Sequence, residues 1–280
     1  MLELDGVNAD SLIDMIKMSF SWENWSAILE ISDKLLEVAA IAYDSNKHSF
    51  NKITFKRSIV YYFGYSSCMK GIALQKLGRL PEARECIAQY SDLSWIKDST
   101  PEGLTEEGYY KNIAVANTYV LDLLEGKVDV LSDYIEFIRK NDKEELLAGL
   151  ITVLESSIKY NYSIDWVLDE FKEQVKELSS KERREDVRYY IDYMYLHTIY
   201  LYKRGKVFDT INLTLDILIL CDKFDDGAGF RKAIAFYELL RCYASVSQQE
   251  IHQNIMKNIL EREFLKDEKN IFVIGSRIVN

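Results

Sequence analysis

The stretch Gly71-Ile72-Ala73-Leu74-Gln75-Lys76-Leu77-Gly78-Arg79-Leu80-Pro81-Glu82-Ala83-Arg84 decides the fold. It reads as the end of one helix, a turn at Gly78 and the start of a second helix. Gly78 sits where the backbone turns left-handed, the conformation that glycine adopts at least cost. Gly71 and Ala83 are small enough to let two helices cross closely, and Leu74 fills the gap between them.

Two further turns repeat the pattern. They are Leu124-Glu125-Gly126-Lys127-Val128-Asp129 and Lys203-Arg204-Gly205-Lys206-Val207-Phe208. In each, Gly is followed by a basic residue and then an apolar one. Around them, apolar residues recur with the helical period, predicting helices near 9–19, 22–45, 56–77, 80–90, 103–125, 127–139, 142–158, 163–177, 181–204, 206–222, 227–246 and 248–265. Ser180, Thr105 and Asp165 are expected to open helices. The first helices of successive pairs start about 39–47 residues apart, the spacing of helical repeat arrays. The one strand-like stretch, Ile271-Phe272-Val273-Ile274, is expected to be a packed tail or helix cap, within a short C-terminal segment at 266–280.

Composition narrows the classes. Only 12 Gly and 2 Pro occur in 280 residues, too few for the tight turns of all-β or Rossmann-like folds. A net charge of −10 is a poor match for a phosphate backbone. The sequence predicts no nucleic-acid binding by this chain alone, and no run long and apolar enough for a membrane helix. Cys68, Cys86, Cys221 and Cys242 have no metal-ligand spacing and are expected as buried free thiols in a reducing cytoplasm. His48, His197 and His252 have no nucleophile at catalytic spacing, and no phosphate-binding glycine loop occurs. No enzyme, cofactor or metal is expected. The Asp142-Lys143-Glu144-Glu145 run and Asp225-Asp226 read as solvated helix starts.

The Gly71/Leu74/Gly78/Ala83 pattern resembles the tetratricopeptide (TPR) repeat. The 181–222 pair keeps Leu201 and Gly205 but has Thr198 and Thr210 at the small positions. The 103–139 pair keeps Gly126 but has Tyr119 and Leu131 there. The implied fold is all-α: a right-handed α-solenoid of about six helix pairs, forming one domain over 1–280. Two stretches add to this: Ser19-Phe20-Ser21-Trp22-Glu23-Asn24-Trp25 with Ile31-Ser32-Asp33-Lys34-Leu35, and Tyr61-Tyr62-Phe63-Gly64-Tyr65 with Met69 through Gly78. Together they resemble the C-terminal TPR region of Gram-positive helix-turn-helix regulators of the peptide-pheromone-sensing Rap–Npr–PlcR (RRNPP) type, over residues 10–265. Because the repeat-like segment already begins at Trp22-Glu23-Asn24-Trp25, the DNA-binding domain such regulators carry before the repeats is not expected within these 280 residues. The resemblance therefore implies either the sensor part of a longer regulator or a stand-alone TPR scaffold for a protein partner, with a homodimer as a further association.

Candidate site residues follow from the same frame. Tyrosines cluster on three first helices: Tyr61, Tyr62 and Tyr65; Tyr109, Tyr110 and Tyr119; and Tyr189, Tyr190, Tyr193, Tyr195, Tyr200 and Tyr202. First helices line the concave surface of TPR arrays. The expected ligand is a short peptide in a groove formed by helices 56–77, 103–125 and 181–204. Asn117, at repeat position six, would hold its main chain, since a carboxamide offers both a donor and an acceptor. Tyr65 and Tyr195 would touch side chains, Lys76 or Lys203 would meet a carboxylate, and Tyr62 and His197 would line the groove. Lys52, Lys56, Arg57, Lys70, Lys76, Arg79 and Arg84 face Glu82 alone within residues 51–84, reading either as a solvated face or as an anchor for an acidic group.

Overall fold

The computed structural model describes residues 2–48, 55–140, 146–178 and 184–275. Among them are twelve α-helices and no strand: α1 Ala9–Ser21, α2 Trp25–His48, α3 Ile59–Lys76, α4 Leu80–Tyr90, α5 Pro101–Leu124, α6 Leu131–Lys140, α7 Leu146–Tyr160, α8 Asp165–Leu178, α9 Arg184–Lys203, α10 Val207–Phe224, α11 Gly227–Leu240 and α12 Val246–Gly275. The protein is all-α. It divides into two compact units, Met1–Phe137 and Ile138–Asn280, with the boundary inside α6.

The hairpin turns are alike in hydrogen bonding. Gly78, Gly126 and Gly205 all take the left-handed conformation, with φ of 75°, 91° and 72°. After each, the next amide donates to a carbonyl five residues back: Arg79 to Leu74 at 2.8 Å, Lys127 to Asp122 at 2.9 Å, and Lys206 to Leu201 at 3.0 Å. This bond satisfies a carbonyl that the helix end would otherwise leave open. Glu23 and Asp225 occupy the same place after α1 and α10, with φ of 54° and 57°. Their successors, Asn24 and Asp226, donate to Ser19 and Cys221. Asn161, φ 58°, provides the left-handed residue after α7.

In the first unit, α3 packs against α2, α4 and α5, and α1 against α2. Buried residues occur all round α3, from Val60 and Tyr62 to Cys68, Gly71, Ala73 and Leu74. A Cβ on Gly71 would lie 3.2 Å from the Cys86 Cβ, so the glycine sets the close crossing of α3 and α4. Leu74 and Ala83 are buried beside it. In the second unit, α9 packs against α7, α10 and α11, and α12 against α10. Thr198 and Thr210 are buried there and donate to the carbonyls of Met194 and Lys206, both at 2.8 Å. Two polar residues thus serve at small positions because their own helices satisfy the hydroxyls.

Several boundaries differ from the sequence reading. The α5 cap is Thr100, which accepts from the Gly103 amide, and Pro101 follows at the first turn, where its missing N–H costs nothing. Thr105 lies inside the helix and donates to the Pro101 carbonyl at 2.8 Å. Residues 271–274 continue α12 instead of forming a separate tail. Cys68, Cys86 and Cys221 are buried, but Cys242 is exposed, because a 3-10 turn, Arg241–Tyr243, ends the apolar face of α11. Ser180, Lys52 and residues 142–145 lie outside the described residues.

Candidate functional site

On α3 the Tyr61 and Tyr65 rings stack, with centroids 5.4 Å apart and planes inclined by 25°. The Arg57 guanidinium covers Tyr61 at 3.7 Å from its ring centroid. Its charge meets two α5 carboxylates: the nearly buried Glu106, which accepts a hydrogen bond from it, and Glu102 at 3.7 Å. Burial pushes the Glu106 carboxyl above its usual range, against the pull of Arg57. Burial also raises the Tyr65 hydroxyl, with the neighbouring Tyr61, Cys68 and Asp14 adding to the effect. Tyr65 is half-buried and Tyr109 is 52% exposed, so this aromatic surface still meets solvent. Tyr62 does not: it is fully buried and donates to Asp10 at 2.6 Å, tying α3 to α1. Tyr61 and Tyr65, four residues apart, share one face of α3, whereas Tyr62, the residue after Tyr61, is turned away from Tyr61 by about a quarter of the helix circumference and into the core.

Asn117 on α5 is half-buried between the first hairpin partners. Its Nδ2 donates to the buried Tyr90 hydroxyl at 2.8 Å, with the Cys68 sulfur at 3.9 Å. The other end of the carboxamide has no hydrogen-bond partner among the described residues. The amide is therefore oriented by α4 and keeps one polar end for something else.

Three of the seven basic residues of the 51–84 run, Arg57, Lys70 and Arg84, are paired with acids from outside it. Lys70 meets Asp33 at 2.6 Å, and Arg84 meets Asp122 at 2.5 Å and Glu125 at 2.8 Å. Arg79 pairs with Glu82, and Arg57 as above. Sequence distance hid this: Asp33, Glu106, Asp122 and Glu125 lie outside the run and reach it only through helix packing. Lys76 is exposed in the last turn of α3, where positive charge suits the helix dipole.

In the second unit, Tyr195 lines a cavity of about 280 Å³ where α9, α10 and α11 meet. The Lys232 ammonium sits 5.5 Å from its ring centroid. Lys203 donates to the Ile158 carbonyl at 2.7 Å, closing the end of α7. His197 is half-buried against Tyr193, with ring centroids 5.7 Å apart. Burial, and then the Lys206 charge, lower its pKa to about 4, so the ring is neutral at pH 7. The seven candidate residues thus divide between the units: Tyr62, Tyr65, Lys76 and Asn117 in the first, Tyr195, His197 and Lys203 in the second. Tyr90 and Lys232 escaped the sequence reading. Tyr90 ends a second helix and Lys232 belongs to the last pair, neither of which the groove frame included.

No group of three or more His, Cys, Asp or Glu among the described residues could hold a metal ion. No helix among them is long and apolar enough to cross a membrane. No family model, curated protein or solved structure matches the chain.

Proposed function

We propose that this chain is a TPR-like α-solenoid that binds a short peptide on its first helices, serving as the sensing module of a bacterial transcriptional regulator. The observation that carries the reading is Asn117. A half-buried carboxamide, held at one end by Tyr90 and open at the other, is suited to one amide of a peptide main chain. Fixing the amide beforehand lowers the ordering cost of binding. The stacked Tyr61–Tyr65 pair and exposed Tyr109 supply aromatic surface with little rotamer freedom to lose. The repeated left-handed turns support the repeat reading, and the likeness to RRNPP sensors supports the regulatory one. In such a stack each repeat touches its neighbours only, so a ligand spanning repeats favours one curvature by the difference in its affinities for the two shapes.

Affinity selection from a pool of random heptapeptides, read by mass spectrometry, tests the reading. Enrichment of related sequences is the expected result. Recovery of none, from protein with a cooperative melt, would remove it.

A further inference from the structure

The cavity among α9, α10 and α11 has chemistry that the peptide reading leaves unused. Val187, Ile191, Ile217 and Phe224 form an apolar wall, and Asp192, Asp225, Asp226 and Lys232 bring charge to it. Its volume, about 280 Å³, is just under the ~300–1,000 Å³ of whole-ligand pockets and suits one side chain. Asp226 caps α11, accepting from the Ala228 and Gly229 amides at 3.1 and 3.0 Å, yet keeps its charge at the wall. Asp225 is exposed at the mouth in a left-handed conformation that Asp tolerates. Lys232 is also exposed, its ammonium resting over Tyr195. The negative charges are felt inside: burial first, then Asp226 and Asp192, push the nearby Cys221 thiol up to about 12.

The geometry points to a pocket for the cationic side chain of a Lys or Arg in the bound peptide, so this inference rests on the peptide reading above. The aliphatic stem would lie along Val187, Ile191, Ile217 and Phe224. The charged head would take the place over Tyr195 that Lys232 occupies in the free protein, beside the Asp225 and Asp226 carboxylates. A cation over a tyrosine ring gains from the ring quadrupole, and more so where water is partly excluded. Lys232 is then a competitor, displaced into solvent when the ligand enters.

N-acetyl-arginine amide, N-acetyl-norleucine amide and N-acetyl-glutamate amide, titrated into the full chain by calorimetry, test this. The arginine compound is expected to bind about tenfold more tightly than the norleucine one, and the glutamate compound not at all. Asp225→Asn keeps a residue at ease in the left-handed turn and should weaken arginine binding about two- to fivefold. Lys232→Gln should strengthen it by a similar factor, about two- to fivefold. Three outcomes would overturn the proposal: equal binding of the arginine and norleucine compounds, preference for glutamate with weakening by Lys232→Gln, or no arginine binding at millimolar concentration. If the arginine compound fails while selected heptapeptides still bind, only the pocket is lost. If it binds while no heptapeptide does, the pocket chemistry stands and the peptide reading falls.

Discussion

Gly64→Ala should destabilise the first unit, although helix propensity alone argues the reverse. Alanine in a helix interior is favoured over glycine by about 1 kcal/mol. Gly64, however, faces the Tyr110 ring across the α3–α5 crossing. A Cβ there would lie 2.2 Å from Tyr110 Cδ2 and 2.3 Å from Cε2. The ring cannot slide aside cheaply. Tyr110 is 2% exposed, its hydroxyl donates to the Tyr61 carbonyl at 3.2 Å, and Tyr90 and Tyr109 pack edge-on against it. Overpacking costs about 1–3 kcal/mol, and displacing the hydroxyl about 0.5–1.5 kcal/mol more. Against the propensity gain, the net loss is about 2 kcal/mol, or about 4–8 °C in Tm. Differential scanning calorimetry measures it. In a Tyr110→Ala background the clash is gone, and the same substitution should be neutral or mildly stabilising. A Tm unchanged or raised by Gly64→Ala in the otherwise native protein would refute the packing argument.

Two other outcomes follow from the electrostatics. Arg57→Ala should cost about 1–2 kcal/mol near pH 7, discounted for the half-exposed guanidinium, because it leaves the Glu106 carboxylate without its cation. Since burial raises the Glu106 pKa, the loss should shrink as pH falls and that group protonates; urea melts at two pH values check it. His197 is held near pKa 4, below its unfolded value of 6.5, so the unfolded chain binds the extra proton between those values. Its contribution to stability is full above pH 6.5 and is lost as pH falls toward 4, by about 1–3 kcal/mol after allowing for the exposed ring edge. His197→Leu should flatten that limb of the stability–pH curve.

Much of the fold was legible because helices announce themselves locally. Apolar period and turn glycines placed the helices near their observed positions, and Gly78, Gly126 and Gly205 are left-handed as their context required. Glu23 and Asp225 make the same turn without glycine, so no turn glycine marked them. Long-range partners were not legible. Nothing in the sequence ties Arg84 to Asp122, Tyr62 to Asp10, or Gly64 to Tyr110, because those meetings depend on how helices cross. Side-chain direction was no more legible: among the candidate residues Tyr65 and Asn117 are half-buried, whereas Tyr62 turns into the core, which depends on how α3 packs.

The peptide reading stands most directly on the open end of the Asn117 carboxamide. Calorimetry of a selected heptapeptide against the native protein and Asn117→Ala, with folding checked by thermal melt, measures what that group contributes. Leaving a peptide amide unpaired costs about 1–3 kcal/mol, so the variant should bind about 5- to 150-fold more weakly. Equal affinity in two equally folded proteins would contradict the account and take the peptide main chain away from α5.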